Sequence, residues 1–164
     1  MRKASLTLES IKKLDKSDML GLLMDFPAQC DAAKEIAKEA KISFEGRDFS
    51  RVIFAGLGGS AIGAELVRSY LYFECKLPVA VYRDYELPAS ADSSALVFIV
   101  SYSGNTEETL SAYEQARQKG SALIVISSGG KLKEWSLRDK VAFIGIPQGI
   151  PPRCALGYLS IIPL

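Results

Sequence analysis

Ser101, Ser103 and Thr106 set three hydroxyls around Gly104 and Asn105 in the stretch SYSGNT. They follow Ala95-Leu96-Val97-Phe98-Ile99-Val100, an apolar run that reads as a fully buried strand. Hydroxyls donate to anionic oxygens, and the helix expected from Thr106 onward adds free backbone N–H groups and the positive end of its dipole. No basic residue lies in this turn, so an anion would be met by neutral donors, and a phosphate fits such a nest. A plain helix cap is the competing reading, with Thr106 capping and Glu107 and Glu108 in the first turn. One hydroxyl suffices for a cap, so three with a glycine favour a ligand.

A second turn, GLGGSAIG from Gly56 to Gly63, also follows an apolar strand. Its glycines let the backbone bend tightly and approach a ligand, and Ser60 lies near the start of the next helix. Gly56, Gly58 and Ala61 fit a dinucleotide fingerprint. The acid that should meet the ribose is then Asp84, 28 residues after Gly56, where about 20 are expected. A third turn, Ile126-Ser127-Ser128-Gly129-Gly130, repeats the hydroxyls and reads equally well as a simple glycine turn.

Other chemistries are narrowed by composition. The 164 residues contain no histidine, which removes Ser-His-Asp and Cys-His nucleophilic catalysis from this chain. Acid–base work must rest on Glu, Asp, Lys, Tyr or Cys, or on another chain. Cys30, Cys75 and Cys154 are far apart and form no CxxC pair, so neither a metal site nor a disulfide framework is indicated. The formal net charge of +1 supplies no field for nucleic acid or an anionic membrane. No apolar run approaches a membrane span, and Met1–Leu6 lack the apolar stretch of a signal peptide. A cytoplasmic location is expected.

The elements that must position these turns alternate. Residues 1–50 read as helical, then loose. Ser17-Asp18 caps a short helix through Leu23, and Pro27 opens another that carries Cys30, Ala33, Ile36, Ala37 and Ala40 on one face. Glu45-Gly46-Arg47-Asp48 reads as a turn. Strands follow at 51–55, 79–82, 96–100, 122–126 and 141–146, with helices at 61–73 and 106–119 and a turn or two at 132–137. The helix at 61–73 aligns Ile62, Leu66, Tyr70 and Phe73. Alternating strands and helices imply a parallel sheet covered on both faces, with ligands beyond the carboxyl ends of its strands. The last residues, Cys154 to Leu164, form an apolar tail that expects a partner.

GLGGSAIG, SYSGNTEETL and PPRCALGY together resemble the sugar isomerase (SIS) domain, and most of all the first such domain of the bifunctional phosphoglucose/phosphomannose isomerases. The resemblance covers residues 17 to 164. It implies an α/β fold, a flavodoxin-like three-layer sandwich with a five-stranded parallel sheet. It implies that Ser101, Ser103 and Thr106 bind the phosphate of a hexose 6-phosphate, that Gly59 and Ser60 lie beside the sugar, and that Arg153 serves catalysis by stabilising an enediolate near C1–C2. No cofactor or metal is implied. Members run to about twice this length, with the proton-transferring glutamate and the ring-opening histidine in a second SIS domain. The chain is thus expected to be an incomplete half: residues 1–48 a helical segment packing on the domain, 49–147 the SIS domain, and 148–164 a connector toward the missing half. Its expected partner is a second SIS chain or a second copy in a homodimer. Two other readings stay open, a sugar-phosphate-sensing SIS module without catalysis and a nucleotide-binding domain.

Overall fold

The computed structural model describes residues 7–44 and 46–164. The readings of Met1–Leu6 and of Glu45 in a turn lie outside the described residues. Three helices open the chain, α1 (Leu8–Leu14), α2 (Met19–Met24) and α3 (Phe26–Glu39). Strand and helix then alternate as β1 (Arg51–Gly56), α4 (Gly59–Leu71), β2 (Val79–Tyr82), β3 (Ala95–Val100), α5 (Glu107–Gln118), β4 (Ala122–Ser127), α6 (Gly130–Asp139) and β5 (Ala142–Gly145). A 3₁₀ turn, Pro152–Cys154, leads into α7 (Leu156–Ile161). No described helix is long and apolar enough to cross a membrane.

The five strands are all parallel, in the order β2-β1-β3-β4-β5. This is the flavodoxin-like order, and the chain reverses direction across the sheet between β1 and β3. Alternation along each strand splits the core into two layers. Phe54, Phe98, Val100, Ile124 and Ile126 pack with Ala33 of α3, Val67 of α4 and Leu159 of α7. Ile53, Val97, Ile99 and Val125 pack on the other side with Leu110 and Tyr113 of α5 and Leu132 of α6. Phe54 and Phe98, paired in register on β1 and β3, stack with ring centroids 4.8 Å apart.

Several local expectations change. Asp18 occupies the position before α2 in a left-handed conformation (φ 50°) and makes no side-chain cap. Asp15 caps instead, accepting the Met19 and Leu20 amides at 2.8 Å each. Helix α4 begins at Gly59 rather than Ala61, because Gly58, at φ 55°, completes the turn alone. The apolar row Ile62, Leu66 and Tyr70 faces outward at 48%, 48% and 64% exposure. Small residues, Ala61, Gly63 and Ala64 with Val67, face the core instead. The reason is Gly63, where a Cβ would lie 2.7 Å from the Leu159 carbonyl oxygen. Helices α4 and α7 cross too closely there for a large side chain. The apolar tail therefore finds its partner within the described chain: Tyr158, Leu159 and Ile162 are buried in the layer formed with α3 and α4.

Candidate functional site

The turns after β1 and β3 meet at the switch point of the sheet, beyond the carboxyl ends of adjacent strands, where open parallel sheets hold ligands. Ser101 is 2% exposed. Its hydroxyl lies 2.9 Å from that of Thr106 and accepts the Gly104 amide at 3.2 Å. Thr106 precedes α5 with extended backbone, yet its side chain makes no cap. The cap reading therefore fails on geometry. Thr106 turns its hydroxyl to Ser101, which leaves the first-turn amides of α5 without a side-chain acceptor.

Ser103 is exposed, and its hydroxyl accepts the Asn105 amide at 3.2 Å within its own turn. The structure thus joins Ser101 to Thr106 and leaves Ser103 apart from both. Glu107 and Glu108 put negative charge at the same helix end. The Tyr85 hydroxyl donates to Glu107 at 3.2 Å, and that bond raises the tyrosine's pKa.

Ser60, 5% exposed in the first turn of α4, accepts the Tyr102 amide at 3.3 Å. This bond ties the first turn to the second. Gly59 abuts the 3₁₀ turn: a Cβ there would lie 3.2 Å from the Pro152 carbonyl oxygen and 3.6 Å from the Arg153 Cα. Arg153 is therefore anchored by its backbone beside Gly59 and Ser60. Its side chain is exposed, and the guanidinium has no hydrogen bond or ion pair among the described residues.

Three positions escape the pattern of hydroxyls. Asn105 caps a different helix, its Oδ1 accepting the Lys131 amide of α6 at 3.0 Å. Gly104, at φ 69°, lies so close to Gly129 and Ser127 that a Cβ would strike the Gly129 carbonyl. Tyr102 is the third, and its bonds reach the turns after β1, β4 and β5. Its carbonyl accepts the Ser128 amide at 3.0 Å and the Ser128 hydroxyl at 2.7 Å. Its own hydroxyl donates to Pro147 at 3.0 Å and accepts the Ile150 amide at 2.8 Å. A tyrosine between two serines is legible in sequence, but nothing local announces partners 45 and 48 residues away. The third turn, Ser127–Gly130, spends its hydroxyls on these internal bonds, with Ser127 donating to Gly129 at 2.9 Å.

The described residues have two larger concavities, of about 680 Å³ beside Tyr72, Phe73 and Pro78 and about 690 Å³ beside Phe44, Lys140 and Phe143. No candidate residue lines either. Among the described residues no three His, Cys, Asp or Glu side chains gather where a metal ion could sit. Strand β1 lies between β2 and β3, unlike the dinucleotide-binding order, in which it lies between β2 and β4. Asp84, the ribose candidate, accepts the amide of its neighbour Tyr85 at 2.7 Å.

Comparison with known proteins agrees with this geometry. The SIS domain family model matches residues 47–134. The chain is 50% identical over 146 residues to the bifunctional phosphoglucose/phosphomannose isomerase of Caldicellulosiruptor bescii, covering 89% of this chain and 43% of that protein. It is 45% identical over 118 residues to the enzyme of the same name from Thermoplasma acidophilum, covering 72% of this chain and 36% of that one. The chain thus spans less than half the length of these relatives. In fold it is similar to tagatose-6-phosphate ketose/aldose isomerase of Escherichia coli, with a TM-score of 0.55 at 16% identity over 85% of this chain and 41% of the other. A five-stranded parallel α/β sheet with hydroxyl- and glycine-rich turns at its switch point, matched by the family model over more than half its length, makes this chain a member of the SIS domain family.

Proposed function

We propose that the chain binds a hexose 6-phosphate and forms the phosphate-binding half of a glucose 6-phosphate/mannose 6-phosphate isomerase that yields fructose 6-phosphate. One observation carries the reading: the Thr106 hydroxyl pairs with Ser101 at 2.9 Å instead of capping α5. One hydroxyl of the pair donates to the other, which leaves one O–H and the uncapped amides of α5 to meet a ligand. An ester phosphate supplies the acceptor oxygens that such donors lack, and charge-assisted bonds of this kind are among the stronger ones. Ser103 adds a third hydroxyl at the exposed rim.

In this reading the sugar extends toward Gly59 and Ser60, and its C1–C2 end lies by Arg153. Aldose–ketose isomerisation removes a proton from C2 and develops negative charge on the C1 oxygen. A fixed guanidinium offsets that charge as it forms. In this reading the ring-opening histidine comes from a second SIS unit of different sequence, since the 164 residues, and so any second copy, hold no histidine, and the proton-transferring glutamate comes from that unit or from a second copy. The bare face of α4 supports such a neighbour. Ile62, Leu66 and Tyr70 expose a continuous apolar row on the helix whose first residue is Gly59. A homodimer packed on this row would bring a second chain to the rim of the crevice.

Isothermal calorimetry with glucose 6-phosphate and fructose 6-phosphate tests the binding claim. Both bind wild type, and Ser101→Ala and Thr106→Ala each weaken them. Heats that are absent from wild type, or unchanged in both variants, would sink the reading. Rapid isomerisation by the isolated monomer would refute the need for a second unit.

A further inference from the structure

We propose that Tyr102 is a positioning residue that couples the phosphate turn to Arg153. This rests on the function proposed above and deepens it by naming the strut between the two ends of the substrate. Tyr102 stands between Ser101 and Ser103, so its main chain belongs to the turn assigned to the phosphate. That main chain is fixed on both flanks, by Ser60 through the amide and by Ser127 and Ser128 through the carbonyl. The side chain is 9% exposed and crosses to the loop after β5. There one hydroxyl donates to the Pro147 carbonyl and accepts the Ile150 amide, while between them Gln148 donates to the Ser128 carbonyl at 2.8 Å.

The loop it holds has two features that pass the constraint on. Gly149, at φ 84°, lets the chain double back between the two bonded residues. Pro151 and Pro152 follow with ring-restricted φ, so fixing Ile150 limits where Arg153 begins. Gly59 supplies the opposing stop, with the Pro152 carbonyl packed against it. Arg153 has no hydrogen bond or ion pair among the described residues, so its guanidinium is placed through the backbone of the 3₁₀ turn, which this path holds from one side and buried Cys154, against Met19, from the other. A binding group held only through its backbone is sensitive to small loop displacements, because catalytic and binding geometry tolerates little slack.

Tyr102→Phe removes the bridging oxygen and keeps the ring, so the fold stands and Ile150 and Pro147 lose their partner. The measurement is a double-mutant cycle on glucose 6-phosphate affinity with Tyr102→Phe, Arg153→Ala and the double variant, alongside inorganic phosphate as a probe of the phosphate turn alone. Tyr102→Phe weakens glucose 6-phosphate by about tenfold, the usual effect of one hydrogen bond between fixed groups, and leaves inorganic phosphate unchanged. In the Arg153→Ala background the same change has no further effect. Equal losses in both backgrounds, or an equal loss for inorganic phosphate, would overturn the coupling and leave Tyr102 a general structural residue. Amide exchange in the ligand-free protein separates this proposal from the function beneath it. Exchange at Ile150, Arg153 and Cys154 quickens in Tyr102→Phe whether or not sugar phosphates bind. If wild type binds no sugar phosphate while Tyr102→Phe still shows this quickening, the function is refuted and the strut stands; unchanged exchange in Tyr102→Phe refutes the strut.

Discussion

The two ends of the sheet are built on opposite plans. At the amino end the charged groups are closed on one another. Asp139, whose side chain is 8% exposed, accepts the Tyr113 hydroxyl at 2.9 Å and pairs with Arg117 at 3.0 Å and Arg138 at 2.8 Å. The Arg138 bond foremost holds its carboxyl down to about 2, against the opposing effect of burial. Arg47 donates to the Ser93 and Gly120 carbonyls at 2.8 and 2.9 Å. At the carboxyl end the bonds join turns to one another and leave some donors without a partner among the described residues. Thr106 leaves a helix uncapped, and Arg153 has no partner among the described residues. Satisfied polar groups stabilise a fold; unsatisfied donors gathered at a switch point are what a ligand completes.

The contrast can be broken most forcefully at Gly104, which carries φ 69° and leaves no room for a Cβ against Gly129. Gly104→Ala is expected to cost about 3 kcal/mol or more of stability in denaturant unfolding, from left-handed strain plus the clash. It should abolish sugar-phosphate binding as well. Thr106→Ala separates the two ends cleanly. It should weaken glucose 6-phosphate by about 1.5–3 kcal/mol, the range for a hydrogen bond to a charged group, while changing stability by only about 1 kcal/mol.

Asp139→Asn is the mirror image, lowering the melting temperature at neutral pH and leaving glucose 6-phosphate affinity alone. Its sign with pH follows from the depressed carboxyl. The wild-type advantage is full above the ordinary aspartate pKa of about 3.9 and is lost as pH falls toward 2. Melting curves of wild type and Asp139→Asn should therefore converge across that window, and a gap that stays constant would remove the ion cluster from the account. The smallest effect on stability is expected for Arg153→Ala, within about 0.5 kcal/mol for an unpartnered surface residue, although sugar-phosphate affinity falls. A large loss of stability there would mean that Arg153 is structural.

Much of the fold was legible because parallel strands buried on both faces read as apolar runs, as Ala95–Val100 does, and because Gly120 and the Gly56–Gly59 run punctuate them. The SYSGNT and GLGGSAIG turns were legible as one crevice because parallel topology puts every such turn at the same end. Three features were not. The outward apolar row of α4 depends on the close crossing at Gly63 and Leu159, a contact about 96 residues apart in sequence that periodicity does not register. Thr106 and Ser103 look alike in sequence, and only the backbone separates the hydroxyl that pairs with Ser101 from the one that stays in its own turn. Tyr102 carries no local signal in the sequence, and its bonds to Pro147 and Ile150 exist only in the fold.

Amide chemical shifts measured while glucose 6-phosphate is added to the labelled chain test the central claim most directly. The account expects saturable shifts at Gly59, Ser60 and residues 101–109, with Arg117, Asp139 and the rest of the amino end unmoved. Shifts concentrated at the amino end, or none at all at saturating sugar phosphate, would contradict it.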